Sequence, residues 1–527
     1  MIKQKLQQLL GDVEIQKPKS DFGDYAIFVK GNTNDVVVKI KSQISNVKEI
    51  ERIEQKGQYI NFFLSKEFLH QELQRMSLDA WDLVLDAYKD RTVLVEYTDP
   101  NPFKLFHIGH LMSNAIGESI ARLYEASGAK VIRVTWQGDV GMHIAKAIWW
   151  MAKFEARNPK SEMGTAYSEG SKAYEKDPQA KAKIEAINKK IYSKSDPEIN
   201  KIYEKGRSES LAYFEQQYAR LGSKFDRYFF ESEEGPKGLE IVKAHPEVFV
   251  AGDPSTSSGQ EAPIVFHGAH TRVFINSHGL PTYEAKELGL NQEKFKLYHP
   301  DLSIIVTGNE IKEYFKVLME AMERTMPDVA AKTRHVPHGM MRLPTGKMSS
   351  RTGDVITADM LIDQVKEKVG KEEVAVGAIK YWILKQGIGH DIIFDFDKAL
   401  ATHGDSGVYL QYTHARLQSI LAKSEARNPK SETNLNLLNH KTELDIIKYL
   451  IEFPDVVKEA TERMAPNIVA LYVYELANKA NRFYEEVRIL DDENEERKQA
   501  RLLLVAVTRR ILEQGLYLLG IQAPATI

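Results

Sequence analysis

Two short runs hold the residue types best suited to chemistry on a phosphorylated ligand. The first is His107-Ile108-Gly109-His110. Its imidazoles can donate hydrogen bonds to phosphate oxygens as charge builds on them, and Gly109, with no side chain, leaves room for a nucleotide base to lie against the backbone. The second lies far downstream: Lys347-Met348-Ser349-Ser350-Arg351-Thr352-Gly353, with Gly346 before it. The glycines predict a mobile loop. Lys347 offers a point charge for the β- and γ-phosphates, and Ser349, Ser350 and their amides offer donors. Taken singly, a histidine pair is a common helix cap and a Lys-Ser-Arg run a common solvated loop, so the elements that hold them decide the reading.

Those elements form a consistent pattern. A strand is expected over 92–97, then a loop, then a helix with apolar positions at Met112, Ala115, Ile116, Ile120 and Leu123. Gly128 and a second strand over 131–136 follow, completing a βαβ unit and hence a parallel sheet. The first run then stands at a helix N-terminus, where free N–H groups and a partial positive charge face anions. Residues 150–262 are rich in Lys, Glu, Ala and Tyr at helical spacing and read as an insertion between two halves of the sheet, which resumes near 303–307. Residues 1–85 suggest a small α/β domain with strands over 26–29, 36–40 and 59–64. From about 408 the pattern is helical to a last helix over 501–519, which predicts a bundle. The expected division is 1–85, 86–400 and 401–527.

With 527 residues and 43% hydrophobic content the chain can bury several cores. Its 71 basic and 74 acidic residues give a net charge of -3, so any nucleic-acid binding must rest on local basic patches. The absence of cysteine excludes disulfides, thiolate zinc sites and cysteine nucleophiles. No apolar run approaches the roughly 20 residues that cross a bilayer, and a cytoplasmic protein without membrane contact is expected. The near-identical segments 152–162 (AKFEARNPKSE) and 422–432 (AKSEARNPKSE), and the small-residue run 253–260 (DPSTSSGQ), are polar and are expected as exposed surface loops.

On its two motifs, in this order and on these elements, the chain resembles the class I aminoacyl-tRNA synthetases, whose HIGH and KMSK signatures bind ATP on a Rossmann-type sheet. The resemblance narrows to the arginyl-tRNA synthetase family. Glu96-Tyr97-Thr98-Asp99-Pro100-Asn101 through Lys104 and His107 is similar to that family's Glu, Ser-Pro-Asn, Lys and HIGH pattern. Gly138-Asp139-Val140-Gly141 resembles its Gly-Asp-Trp-Gly, and Tyr283 through Glu287-Leu288 its Tyr-x-x-x-Asp-Leu. The run 409–416 (YLQYTHAR) resembles its Tyr-x-Gln-Tyr-Ala-His-Ala-Arg, and Gly23 to Ala26, 59–63 and 520–527 resemble its terminal regions.

The resemblance implies an α/β Rossmann-type catalytic domain with a helical insertion, a small N-terminal α/β domain that touches the tRNA, and a C-terminal helical anticodon-binding bundle. It implies activation of L-arginine with ATP and Mg²⁺, transfer to tRNA(Arg), and dependence of the first step on tRNA. ATP contacts fall on His107, Gly109, His110, Gly308, Lys347, Met348, Ser349 and Ser350, with His107, His110 and Lys347 as the catalytic set. Arginine contacts fall on Glu96, Asp99, Asn101, Lys104, Tyr283 and Glu287. Phe483 and Tyr484 are candidates to stack on anticodon bases. No protein ligand for a metal is expected, and a monomer is.

Two departures stand out: Asp99 in place of Ser, and Glu287 in place of the Asp that faces guanidinium. For Glu287 the competing reading is a residue on a solvated helix surface. Tyr314 stands where the family often has His and is left without a role. Rival readings are another class I synthetase, such as the glutamyl or cysteinyl enzyme, and a non-catalytic tRNA-binding relative. The lack of cysteine opposes the cysteinyl type, the extra amino-terminal domain opposes both enzymes, and two intact motifs oppose the non-catalytic relative.

Overall fold

The computed structural model describes residues 2–527 except 12, 19–21, 31–37, 39, 41, 43–46, 79–84, 155–158, 254–261, 345–355 and 425–432. At the N-terminus, β1 (Ile15–Gln16), β2 (Tyr25–Phe28), β3 (Ile50–Lys56) and β4 (Tyr59–Leu64) form an antiparallel sheet in the order β1-β2-β4-β3. Within the segment expected as a strand over 36–40, Val38 and Ile40 are helical. Strand propensity measures fit to a pleated neighbour, and among the described residues no strand of this sheet takes Val38 or Ile40 as a partner. Helix Lys66–Ser77, capped by Ser65, follows β4. Its His70 bonds Asn436 and the Leu438 carbonyl at 3.2 Å, tying the N-terminal domain to the C-terminal one.

The central sheet is built from β5 (Thr92–Glu96), β6 (Lys130–Gln137) and β7 (Arg227–Phe230). A small antiparallel sheet of β8 (Val250–Ala251), β9 (Ile264–His267) and β10 (Thr271–Ile275) comes next in the chain, and the central sheet is completed by β11 (Leu302–Gly308) and β12 (Thr333–His338). Its order is β12-β11-β5-β6-β7 with every pairing parallel. Both faces are covered, which is why Val93, Leu94 and Val95 form an unbroken apolar run with no exposure. The expected helical segment contains Pro159–Lys176, Pro178–Ser193 and Pro197–Leu221; the last two start with Asp caps before proline at the first turn. The chain rejoins the sheet at β7, well before residue 262. A four-residue strand is too short to announce itself by periodicity.

From Gly407 onward come helices Gly407–Lys423, Lys441–Ile451, Phe453–Glu462, Pro466–Glu486 and Glu495–Leu518. The final helix docks end-on against the catalytic domain. Carbonyls at its C-terminal end and just beyond it, where the helix itself offers few donors, accept from Arg122 at Tyr517 (2.9 Å), Ser119 at Leu518 (2.8 Å) and Lys380 at Gly520 (2.8 Å). Residues 155–158, 254–260 and 425–432 of the three expected surface loops lie outside the described residues; Pro159 of the first copy begins a helix instead.

Candidate active site

Helix Ile108–Ala126 starts at His107, whose backbone is still extended. The His107 Nδ1 accepts from the Gly109 N–H at 3.1 Å, and the His110 Nδ1 accepts from the His107 N–H at 3.2 Å. The two imidazoles thus form a capping box, the part usually played by Ser and Glu. A neutral ring that accepts at Nδ1 carries its proton on Nε2, so each keeps an Nε2–H to donate. The rings stack at 3.7 Å. Burial, assisted by the Lys104 charge, lowers His107 to about 4; burial, then His107 and Lys104, hold His110 well below the usual imidazole range. Near neutral pH they are uncharged donors. A Cβ on residue 109 would stand 2.9 Å from the His107 ring, so the bare glycine also keeps the cap closed.

Lys347, Met348, Ser349 and Ser350 lie outside the described residues. The chain that follows them is stitched to the first motif. The Ile108 N–H donates to the Ile356 carbonyl at 3.2 Å, the Ala358 N–H donates to the Phe106 carbonyl at 2.9 Å, and His107 and Thr357 form an antiparallel bridge.

A cavity of about 450 Å³ opens beyond the carboxyl ends of β5 and β11. These neighbours send their connections to opposite sides of the sheet, the position where such sheets take ligands. One end of the cavity is acidic. Glu96 closes β5, buried, and pairs with the fully buried Lys294 at 2.8 Å. Asp99 accepts from the Trp136 N–H at 2.7 Å. It follows Thr98, and both residues hold positive φ, 80° and 44°. Such backbone persists where neighbours fix it: the Thr98 N–H donates to Ser113 Oγ and Asn114 Nδ2 donates to Thr98 Oγ1, both at 3.0 Å.

Glu287, 7% exposed, completes this end from helix Tyr283–Tyr298, and its Oε2 has no hydrogen-bond partner. The surface-helix reading of Glu287 is thereby excluded. Burial first, and then Glu96, raise Asp99 and Glu287 well above the ordinary carboxylate range. Three carboxyl groups facing one lysine make a field suited to a cationic ligand.

Asn101, Gly109 and Gly308 also line the cavity. Asn101 lies so close to Gly138 that a Cβ there would stand 2.0 Å from its Oδ1. The next residue, Asp139, is fully buried and accepts from Tyr203 at 2.9 Å and Arg207 at 3.0 Å, fixing that turn. Lys104 and Tyr283 are not among the lining residues. The Lys104 amine lies over the Tyr167 ring at 4.7 Å, and burial lowers it to about 8. Tyr283 is 57% exposed beside Lys286. Phe483, expected to meet a base, belongs to the bundle core at 2% exposure, because it faces inward on its helix, whereas Tyr484 is 46% exposed.

Trp136, Lys294 and His338 escaped the sequence reading. Lys294 had a usable signal, since it stands two helical turns after Glu287 and so on the same face. The other two become relevant only when the ends of β6 and β12 are brought to the cavity.

Three family models match the chain: "tRNA synthetases class I (R), catalytic domain" over residues 74–396, "Arginyl tRNA synthetase N terminal domain" over 1–64, and "DALR anticodon binding domain" over 410–527. Among curated relatives, the arginine–tRNA ligase of Clostridium kluyveri is 31% identical over 538 residues, covering 96% of this chain and 94% of its own length. That of Borreliella burgdorferi is 29% identical over 553 residues, with 97% and 94% covered. Among solved structures, the Thermus thermophilus arginyl-tRNA synthetase superposes with a TM-score of 0.80 at 23% identity, all of both chains covered. The Plasmodium falciparum arginyl-tRNA synthetase gives 0.79 at 22%, with 100% and 98% covered. With the arginyl class I catalytic model spanning more than half of the sequence, and with a curated relative 31% identical over nearly the whole of both chains, the chain belongs to the arginyl-tRNA synthetase family of class I aminoacyl-tRNA synthetases.

Proposed function

We propose that the acidic end of the cavity takes L-arginine, that the double-histidine helix start takes the phosphates of ATP, and that the enzyme joins arginine to the 3′ end of tRNA(Arg) through an arginyl-adenylate. The observation that carries this reading is the buried, unpartnered Oε2 of Glu287 in the same cavity as Glu96 and Asp99. An orphaned carboxylate oxygen is costly to bury, and guanidinium supplies the missing donors together with the opposite charge. Asp99 then faces the α-ammonium group, with Asn101 beside it.

The arginine carboxylate is its own nucleophile. It attacks the α-phosphorus of ATP in line; the new C–O–P linkage forms as the bond to pyrophosphate breaks, and pyrophosphate leaves with that electron pair. No general base is needed, so acceleration comes from positioning and charge stabilisation. The Nε2–H groups of His107 and His110 donate to phosphate oxygens, and Lys347 adds a positive charge from the segment whose downstream flank is bonded to Phe106 and Ile108. Because both imidazoles are held neutral, the triphosphate needs further cations. Mg²⁺ would fit that need by neutralising triphosphate charge, and no protein ligand is assigned to it. In the second step a terminal ribose hydroxyl of the tRNA attacks the adenylate carbonyl and AMP departs.

Residues 86–400 are assigned the chemistry, 1–85 contact with the tRNA body and 401–527 contact with the anticodon. Tyr484 is the exposed aromatic candidate for stacking. Arg416 lies over its ring at 5.6 Å and over that of Tyr412 at 4.9 Å, a cationic and aromatic surface of the kind that holds unstacked bases. We assign the enzyme to the cytoplasm as a monomer.

The test is ATP–pyrophosphate exchange with each amino acid in turn, with and without total tRNA. Exchange with arginine alone, dependent on added tRNA, is expected. Exchange with a different amino acid would overturn the pocket assignment, and no exchange under any condition would overturn the activity.

A further inference from the structure

The cavity has a third wall that neither the arginine nor the phosphate assignment uses. It is formed by Gly308, His338, Gly339, Met340 and Met341, and Gly109 at the helix start lines the same cavity. Residue 341 lies in the short strand Met341–Arg342, which pairs with Ile392–Ile393, and the Met340 N–H donates to Asp391 at 2.9 Å. At Gly339 the next segment comes so close that a Cβ would stand 2.0 Å from the His390 carbonyl oxygen. These contacts hold the wall in place. With the cation at one end and the phosphates at the helix start, the part of ATP left for it is the nucleoside.

His338 is 4% exposed within this wall. Its Nδ1 lies 2.7 Å from the Gly339 carbonyl oxygen. A carbonyl can only accept, so Nδ1 carries the proton, and in the neutral ring Nε2 holds a lone pair. That Nε2 has no hydrogen-bond partner. Burial lowers the ring's pKa, keeping it neutral and its Nε2 an acceptor at neutral pH. A buried acceptor without a donor costs free energy until a ligand supplies one.

Resting on the proposed reading of this cavity as the ATP site, we infer that His338 reads the purine, its Nε2 accepting a hydrogen bond from the exocyclic 6-amino group. The enzyme then distinguishes adenine from purines that lack that donor through a side chain, in addition to whatever the rest of the wall contributes.

The test uses the full-length enzyme, tRNA and arginine, and compares pyrophosphate exchange with ATP, with purine riboside triphosphate, which lacks the 6-amino group, and with 2′-deoxy-ATP. Wild-type exchange with ATP and arginine is the control; its absence would remove the underlying reading rather than this inference. His338→Phe keeps a flat ring and deletes the acceptor. It is expected to lower kcat/KM for ATP about tenfold, the scale of one lost hydrogen bond, while changing that for purine riboside triphosphate by less than twofold. His338→Gln, whose amide oxygen can accept, should restore most of the loss for ATP. Thermal melts establish that both variants fold. Equal losses for ATP and purine riboside triphosphate, or no loss for ATP, would overturn the inference. So would a His338→Phe penalty that vanishes with 2′-deoxy-ATP instead, because the donor would then be the ribose hydroxyl.

Discussion

The two ends of the cavity prepare for their ligands in opposite ways. At the helix start the caps are already made: two histidines accept backbone N–H groups through Nδ1 and keep Nε2–H in reserve. At the acidic end the preparation is an imbalance, three carboxyl groups against Lys294, with one Glu287 oxygen lacking any partner. The first arrangement costs the empty protein little and can stabilise charge that appears only as the reaction proceeds. The second is disfavoured when empty and relieved when a cation binds, so it selects the ground-state ligand. The difference predicts that substitutions at the acidic end act on KM for arginine and substitutions at the helix start act on kcat.

The largest effect should come from Glu287→Gln. It retains shape and removes the charge that guanidinium needs. Breaking a buried charge pair costs about 2–5 kcal/mol, so KM for arginine in pyrophosphate exchange should rise by roughly 30-fold to several thousand-fold with kcat nearly unchanged. An unchanged KM would dissolve the contrast between the two ends.

His107→Asn sharpens the comparison from the other side. Asparagine is a strong helix cap, so the melting temperature should stay put, but no donor remains at the position of Nε2–H. The kcat for exchange should fall about 10²-fold, the scale of one lost transition-state donor, while the dissociation constant for arginine measured by calorimetry holds. A fall in Tm matching the fall in kcat would reduce His107 to its cap.

A third test uses pH. Asp99 and Glu287 are raised above ordinary carboxylates in the empty cavity, through burial first and Glu96 next. Arginine stays cationic and favours their ionised forms. Binding therefore releases protons, and affinity should strengthen as pH rises toward the raised pKa values, by at most about tenfold per pH unit for each proton released. Calorimetry in two buffers of different ionisation enthalpy counts those protons. Zero release would mean that the acids are already ionised.

How much of this could be read from the sequence differs by element. The βαβ unit and the helix start were readable because a 19-residue helix, buried along most of its length, carries a long apolar pattern between two strands, and the motif types imply their chemistry. Glu287 was identified as a candidate but not separated from a surface residue, since charge patterning along a helix says nothing about which face is covered. β7 was hidden by its length. His338 was invisible because its meaning depends on a carbonyl one residue away and a donor that is missing, and neither appears in spacing. Tyr97 shows the same limit: its hydroxyl bonds Glu118 at 2.5 Å, and it packs where a Cβ on Gly117 would come within 2.3 Å. That glycine reads in sequence only as a weak point in a helix.

The smallest effect is expected at Asp99, where this chain departs from the family's serine. Asp99→Ser removes one of three carboxyl groups, but the Trp136 N–H that now donates to the carboxylate can be met by the shorter hydroxyl only with water between them. Glu96, Glu287 and Asn101 would remain around the ligand. Asp99 also repels Glu287, so its loss lowers the Glu287 pKa and strengthens that residue as an ionised partner. Loss of one ammonium contact and relief of that repulsion oppose each other, and KM for arginine should move by only a few-fold, about 1 kcal/mol or less. The same substitution should flatten the pH dependence, because one of the two raised carboxyls is gone and the other is less raised. A large KM change with an unaltered pH profile would place Asp99 in direct, dominant contact with the ligand and make the acidic end a single site rather than a balanced cluster.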